Sequence, residues 1–452
     1  MIQARRAYVT ALADYMHGLD VARLSAVHID HAQLVISDTL GTILGGAPLP
    51  EIRALHGQSA SLGGNGPCTI IGGSASVAAP AAAMINTMAG ISLELDEGSQ
   101  FATNHPAIHV LPAALAVGEA EKSSGQALIT ALVGGYEIAA RIGRATRLRQ
   151  PVHPFGTHAI CGAAAASAKL MGLDPPHIAA AIEIAAGLAI SSSQTAANAG
   201  ASVRNAAAGA TAANGVTAAI LARAGVTGEA AALEKVFGEI LGDGFKTEGI
   251  CEGLGDDAPF IMRNYFKIYA CSRWNHAPIE AAQVACGGKR FAARDIAAVT
   301  VWTYSPATRL NWQEPANGYA AKHSIPYNVA AQIARGVNDL SAYTDDAVND
   351  ANVRALALKT TVIEDPEFTA LVPDVRAARV DITLTGGDVL SGTVHRARGG
   401  FDNPFAGGVL MAKFRTLAAL TLAPARIVTL EEAVAQLPTA SDTRQLMACM
   451  QV

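Results

Sequence analysis

Hydrophobic positions recur every three to four residues over most of the first 265 residues, and the polar positions between them carry the marks of helix ends. The spacing predicts amphipathic helices over 3–17 and 28–45, the second stopping at Gly45-Gly46. A Gly/Ser/Pro-rich loop follows over 57–75, around Cys68. A helix resumes at Ala79, with Met84, Ile85, Met88 and Ile91 at helical spacing, and runs out at Leu95-Asp96-Glu97-Gly98. Beyond the polar stretch SQFATNHPAIHVLP, helices are predicted from Pro112 to Glu121 and over 124–147, with Ser124 as N-cap. In HPFGTHAICGAAAASAK (153–169) a Gly156-Thr157 turn leads into an Ala-rich helix whose small side chains admit a close neighbour. Asp174 and Pro175 open the next helix, and 203–224 forms another.

The pattern changes near Lys267. Residues 294–304 alternate and are β-branched, and 379–397 reads as two strands joined at Gly386-Gly387-Asp388. Helical patches such as 326–336 lie between them. The expected fold is mainly α: a large all-helical domain (1–266, completed by 399–452) with an inserted smaller α+β lid domain (267–398), leaving at a Gly399-Gly400 hinge. Clefts between such domains are favoured ligand sites.

Composition narrows the function classes. Of 452 residues, 50% are hydrophobic and only 16% charged, too few charges to cover a monomer of this size, so a homodimer is expected. The net charge of −5, without a basic cluster, argues against nucleic acid. The six Cys are scattered without a CxxC, as in reduced cytoplasmic proteins. MIQARRAYVTALADYMHG lacks the apolar centre of a signal peptide, and no run reads as a membrane span.

Several residues could carry chemistry. Asp96 at a helix end and His105 in the following loop form a candidate acid–base pair. His105 and His109 have metal-ligand spacing, but Pro106 and Pro112 argue against one continuous helix and no HExxH or Cys partner is present, so no metal is expected. His153, ahead of its helix, is a better candidate than His158 inside the first turn, and Arg204 suits a carboxylate clamp. Lys267, Arg273 and His276 fall at the domain junction, and Tyr327 opens a helix after Lys322-His323. GxGxxG, Walker and GxSxG motifs are absent.

Five blocks, LELDEGSQFATNHPAIHVLPAALAVGE, HPFGTHAICGAAAASAKLMGLD, VRNAAAGATAANGVTAAILARAGVTG, KIYACSRWNHAPIEAA and KHSIPYNVAAQIARG, stand in an order and spacing that resembles the MmgE/PrpD family. That family includes 2-methylcitrate dehydratases, cis-aconitate decarboxylases and iminodisuccinate epimerases. The resemblance implies a helical domain with an α+β lid, a dimer, and an interdomain site using neither metal nor organic cofactor. It places the family's site residues on Asp96, His105, His153, Lys267, His276 and Tyr327. Two positions depart from the family pattern: Arg204 replaces a usual Lys, and Leu95-Asp96-Glu97 replaces a tandem Asp pair. Guanidinium does not deprotonate in proteins, which favours a clamping role at Arg204. The expected activity is a lyase on a small carboxylate substrate, foremost a dehydratase of a hydroxy polycarboxylate. Carboxylates would be held by Arg204 and the Gly156–Thr157 helix start, with acid–base work shared among the six site residues. The alternatives are an epimerase, a decarboxylase and, remotely, a non-catalytic binding protein.

Overall fold

A computed structural model describes residues 6–452. Its first hydrophobic core is built around the helix Ala159–Leu170, in which Lys169 alone is not buried. The helices Pro106–Glu121, Gly125–Ala145, Pro175–Gly187 and Val203–Arg223 pack on it. The Ala run makes this possible, and one contact needs less than Ala: a Cβ on Gly162 would lie 2.3 Å from the Gly135 carbonyl oxygen, and one on Gly135 2.9 Å from that of Gly162. Two helices therefore touch backbone to backbone, which only paired glycines allow.

Most helix starts obey their caps. Ser25, Ser124 and Asp174 accept from the amides of His28, Ala127 and His177, opening Ala26–Gly46, Gly125–Ala145 and Pro175–Gly187. The first helix is Ala7–Gly18; residues 3–5 of its expected span lie outside the described residues. Two boundaries differ from expectation. The helix from Ala79 ends at Ser92 rather than Leu95, because Glu94 adopts a left-handed backbone, φ +57°. The next helix starts at Pro106 and runs straight through Pro112. Proline is well tolerated at a helix start, and the buried Glu97 carboxylate accepts the Ala107 amide at 2.9 Å, capping that end. The first 265 residues also contain short antiparallel pairs, Cys68–Thr69 with Ser76–Val77 and Thr146–Leu148 with Gly242–Phe245.

The second core holds a four-stranded sheet in the order Thr360–Glu364, Ile296–Thr303, Ala378–Leu384, Val389–Val394. The first pair is parallel; the other two are antiparallel, and the final hairpin turns at Gly387 (φ +94°). Helices His276–Cys286 and Ile325–Arg335 pack against it. The edge strand Thr360–Glu364 is unexpected: only Thr360 is buried, so its sequence lacks the alternation that marks a half-buried strand. Helices Val409–Ala418 and Pro424–Ala435 then return to the first core through Phe414, Ala418, Leu430 and Val434.

The segments around Tyr265 and Gly400 are tied together. Tyr265 bridges Gly98 on one side and Gly400 on the other, and the Phe266 amide donates to the Gly399 carbonyl at 2.8 Å. The expected Gly399-Gly400 hinge is thus hydrogen-bonded to residues 264–266, beside the loop that follows Glu97.

Candidate active site

Once the helix Ala79–Ser92 ends, residues 94–97 run on as irregular chain. Glu94 and Asp96 are both 1% exposed, and Lys267 reaches the two of them from the segment that follows Tyr265. Its Nζ lies 3.2 Å from Asp96 Oδ1, 3.2 Å from the Glu94 carbonyl oxygen and 3.6 Å from Glu94 Oε2. Arg204, at the start of Val203–Arg223, donates through Nη1 to Glu94 Oε1. Two carboxylates and two cations therefore form a neutral buried cluster. Burial opposes both carboxylate charges, yet Arg204 and Lys267 at Glu94, and His105 and Lys267 at Asp96, outweigh it and hold both below the usual range. The same carboxylates keep the Lys267 ammonium above its ordinary value against its own burial. Lys413 ties this segment to the C-terminal helices, reaching Asp38 Oδ1 at 2.7 Å and the Leu95 carbonyl oxygen at 2.6 Å.

Glu97 points elsewhere. It accepts from the Ala107 amide, from Tyr136 Oη at 3.0 Å and from Asn264 Nδ2 at 3.2 Å, with no cation on it. Burial pushes its carboxyl up to about 8.

His105 stands at the N-cap position of Pro106–Glu121, with Nδ1 2.7 Å from the Glu97 carbonyl oxygen and 2.5 Å from Asp96 Oδ2. The Glu97 carbonyl accepts at Nδ1, which places the proton there and leaves Nε2 as the exchangeable nitrogen, while Asp96 Oδ2 supplies negative charge beside the ring. His105 lines a cavity of about 410 Å³ between residues of the two cores. The lining holds five arginines (147, 204, 273, 309 and 376), three histidines (105, 153 and 323) and a single carboxylate, Glu94. Such a chamber concentrates anions.

His153 meets two donors, the Phe155 amide at Nδ1 and Arg204 Nε at Nε2, each at 3.1 Å. A neutral imidazole has one lone pair in its plane, so it accepts one of them at a time. Burial and then Arg204 hold His153 well below the usual histidine range, making it a neutral support for the guanidinium. The guanidinium also stacks 4.3 Å over the Phe155 ring.

The MmgE/PrpD N-terminal domain matches residues 10–245, and the MmgE/PrpD C-terminal domain matches residues 269–437. The chain belongs to the MmgE/PrpD family. A cis-aconitate decarboxylase of Aspergillus terreus is 27% identical over 449 residues, covering 93% of this chain and 91% of its own. The cis-aconitate decarboxylase-like protein oryM of Aspergillus oryzae is 27% identical over 470 residues, 97% of this chain and 96% of its own. The Mus musculus cis-aconitate decarboxylase is 25% identical over 456 residues, 96% and 91% of the two chains.

In this MmgE/PrpD protein the expected site residues fall into three groups. His105, His153 and Arg204 line the cavity, and Asp96 and Lys267 stand directly behind it. His276 is completely buried one layer back, its Nδ1 3.1 Å from Arg273 Nη1; it supports an arginine of the lining. Tyr327, Gly156 and Thr157 do not open on the cavity. The Tyr327 hydroxyl donates to the Ala342 carbonyl inside the second core, because Ser324 caps Ile325–Arg335 in a direction that turns Tyr327 inward. The Gly156 amide donates to Thr211 Oγ1 at 2.8 Å and Thr157 is fully buried on the Pro154 carbonyl, so neither amide is available to a carboxylate. The helix itself begins two residues later, at Ala159.

The lining also holds residues that the sequence does not mark as site residues, among them Glu94, Tyr265, His323 and Arg376. The local sequence carries no signal that separates Glu94 from Asp96 and Glu97, because the left-handed backbone at Glu94 breaks any helical or strand period there. The prolines do not break the helix Pro106–Glu121, but His105 stands just ahead of it and His109 is fully buried in the core, its ring centroid 5.0 Å from that of Phe155. Among the described residues no helix is long and apolar enough to cross a membrane.

Proposed function

We propose that this protein is a lyase of small polycarboxylates that moves a proton at a carbon next to a carboxylate, with His105 as the proton-transfer residue. The observation that carries the reading is the Asp96–His105 pair set in an arginine-lined chamber. Arg204 and the neighbouring arginines would hold carboxylates of the substrate, and Asp96 would stabilise the imidazolium form of His105. For an aconitate-like acid, one carboxylate leaves as carbon dioxide. The electron pair of the broken C–C bond stays on carbon, conjugated with the remaining unsaturated acid, and His105 Nε2 delivers the proton that completes the product. The names of the relatives favour this decarboxylation. Dehydration of a hydroxy polycarboxylate is the second reading, favoured by Tyr265, whose phenol ring stands 6.1 Å from the His105 ring in the same cavity. There His105 would take the C–H proton and Tyr265 would protonate the departing hydroxyl. The sparse charge of the chain supports a twofold dimer, which a one-chain mass by sedimentation would overturn.

The test is incubation of the purified protein with cis-aconitate, 2-methylcitrate and iminodisuccinate in deuterated water, followed by NMR. Carbon dioxide release with one deuterium per product supports decarboxylation, and loss of water supports dehydration. Exchange of an α-proton with no bond lost would make the protein an isomerase. Absence of any turnover or exchange on all three overturns the proposal.

A further inference from the structure

One contact in the cavity wall is short of a donor. His323 Nδ1 lies 3.1 Å from the Tyr319 carbonyl oxygen, an acceptor, so Nδ1 carries the ring proton and Nε2 presents a lone pair. That nitrogen is buried without a hydrogen-bond partner, and 3.8 Å away stands Glu94 Oε2, also an acceptor. Three nearby donors are already engaged. Arg204 Nη1 is taken by Glu94 Oε1 and Tyr319 Oη, and Tyr319 Oη donates its own proton to Asn205 Oδ1 at 2.8 Å. Lys267 Nζ, 3.6 Å from Glu94 Oε2, supplies charge there but its closer bonds go to Asp96 and the Glu94 carbonyl. Both His323 and Glu94 line the cavity. Two facing acceptors repel, and at 3.8 Å one hydroxyl oxygen can reach each at about 2.8 Å, its single hydrogen shared between them.

We propose that Glu94 Oε2 and His323 Nε2 form a two-acceptor notch that receives an O–H group of the bound ligand, making His323 a specificity-determining residue. The inference rests on the polycarboxylate reading above and sharpens it. In a chamber otherwise lined by arginine donors, which take ionised carboxylates, the notch takes the one group of the ligand that keeps a hydrogen. That group is an alcohol hydroxyl or a carboxyl that has retained its proton. Burial keeps His323 down at about 4, so near neutral pH the ring does not supply the missing proton itself.

The test compares binding of citrate with that of tricarballylate, the same tricarboxylate without the hydroxyl, by calorimetry at about pH 8 and about pH 6, in wild type and His323→Phe. If the notch takes a hydroxyl, citrate binds wild type roughly 10-fold to 100-fold more tightly at both pH values. If it takes a protonated carboxyl, tricarballylate gains a similar factor on going from about pH 8 to about pH 6, where a tricarboxylate retains part of one proton. Either preference should vanish in His323→Phe. Equal binding of both compounds at both pH values in wild type overturns the notch while leaving the polycarboxylate reading intact. A preference that survives in His323→Phe also overturns it, and failure of both compounds to bind brings down the two proposals together. Should His323→Phe not fold, Glu94→Gln serves instead: its amide N–H fills the notch from the protein side and is expected to abolish the preference.

Discussion

Replacing Asp96 by Asn keeps the side chain's shape and removes one charge from a cluster that is neutral when complete. Glu94 and Asp96 balance Lys267 and Arg204, with Lys267 wholly buried and held at 3.2 and 3.6 Å by the two carboxylates. In Asp96→Asn an uncompensated cation stays in the interior. Removing one partner of a buried pair typically costs ~3–5 kcal/mol, and the lower end applies here because Glu94 still faces Lys267. The chemistry should suffer more. Asn carries no charge to stabilise an imidazolium, while the Glu97 carbonyl still holds the proton on Nδ1; the ceiling on the loss is the roughly 10⁴-fold drop in kcat of the comparable change in a Ser-His-Asp site, where the tautomer also turns over. At 1.36 kcal/mol per tenfold that is about 5 kcal/mol of transition-state stabilisation. The assay is kcat/KM on the identified substrate with thermal denaturation of the same sample. A second variant separates the two effects: Asp96→Asn combined with Lys267→Met restores neutrality, and is expected to recover much of the lost stability and none of the activity. If Asp96→Asn melted with wild type, or the double variant were less stable than the single one, the charge-balance reasoning would be refuted. Wild-type turnover in Asp96→Asn would refute the role of the pair.

Tyr327→Phe should leave kcat/KM near wild type, with ~1 kcal/mol lost from its bond to Ala342, whereas Tyr265→Phe should lower the dehydration rate on a hydroxy acid by ~10²-fold or more; equal effects on turnover would contradict the placement of the two phenols. Burial holds His109 at about 3 and His158 and His323 at about 4, with His153 and His276 also well below their ordinary value. Through these five rings the unfolded chain takes up protons below about pH 6.5 that the folded one does not, each removing ~1.4 kcal/mol of stability per pH unit until its folded value is reached, while Glu97, raised to about 8, offsets one of the five. Melting temperature should drop steeply between about pH 6.5 and 4, and a flat profile there would show that these rings titrate normally in the fold. Gly162→Ala drives a Cβ to 2.3 Å from the Gly135 carbonyl oxygen and should destabilise by ~1–3 kcal/mol or more, measured by denaturant titration; a neutral effect would mean the two helices have room to part.

The amino-acid sequence determined what is local. Ser25, Ser124 and Asp174 cap helices because a side chain satisfies amides within its own first turn, and that needs no distant partner. The Ala run of 159–170 can only be a closely packed helix, and the hairpin over 378–394 follows from alternation and a Gly-Gly turn. Likewise His105, His153 and Arg204, marked by their positions at helix ends, do line one cavity. The tertiary structure decided what depends on contacts across the chain. Three acids lie within four residues at 94–97, and which of them serve the cavity is set by the left-handed turn at Glu94 and by Lys267 and Arg204, more than a hundred residues away. Tyr327 and His323 sit four residues apart in one motif, yet one fills the second core and the other the cavity wall, because helix direction, not residue type, aims a side chain. A charge becomes useful or ruinous in a protein interior according to what stands within a few ångströms of it, and only the folded chain brings those neighbours together.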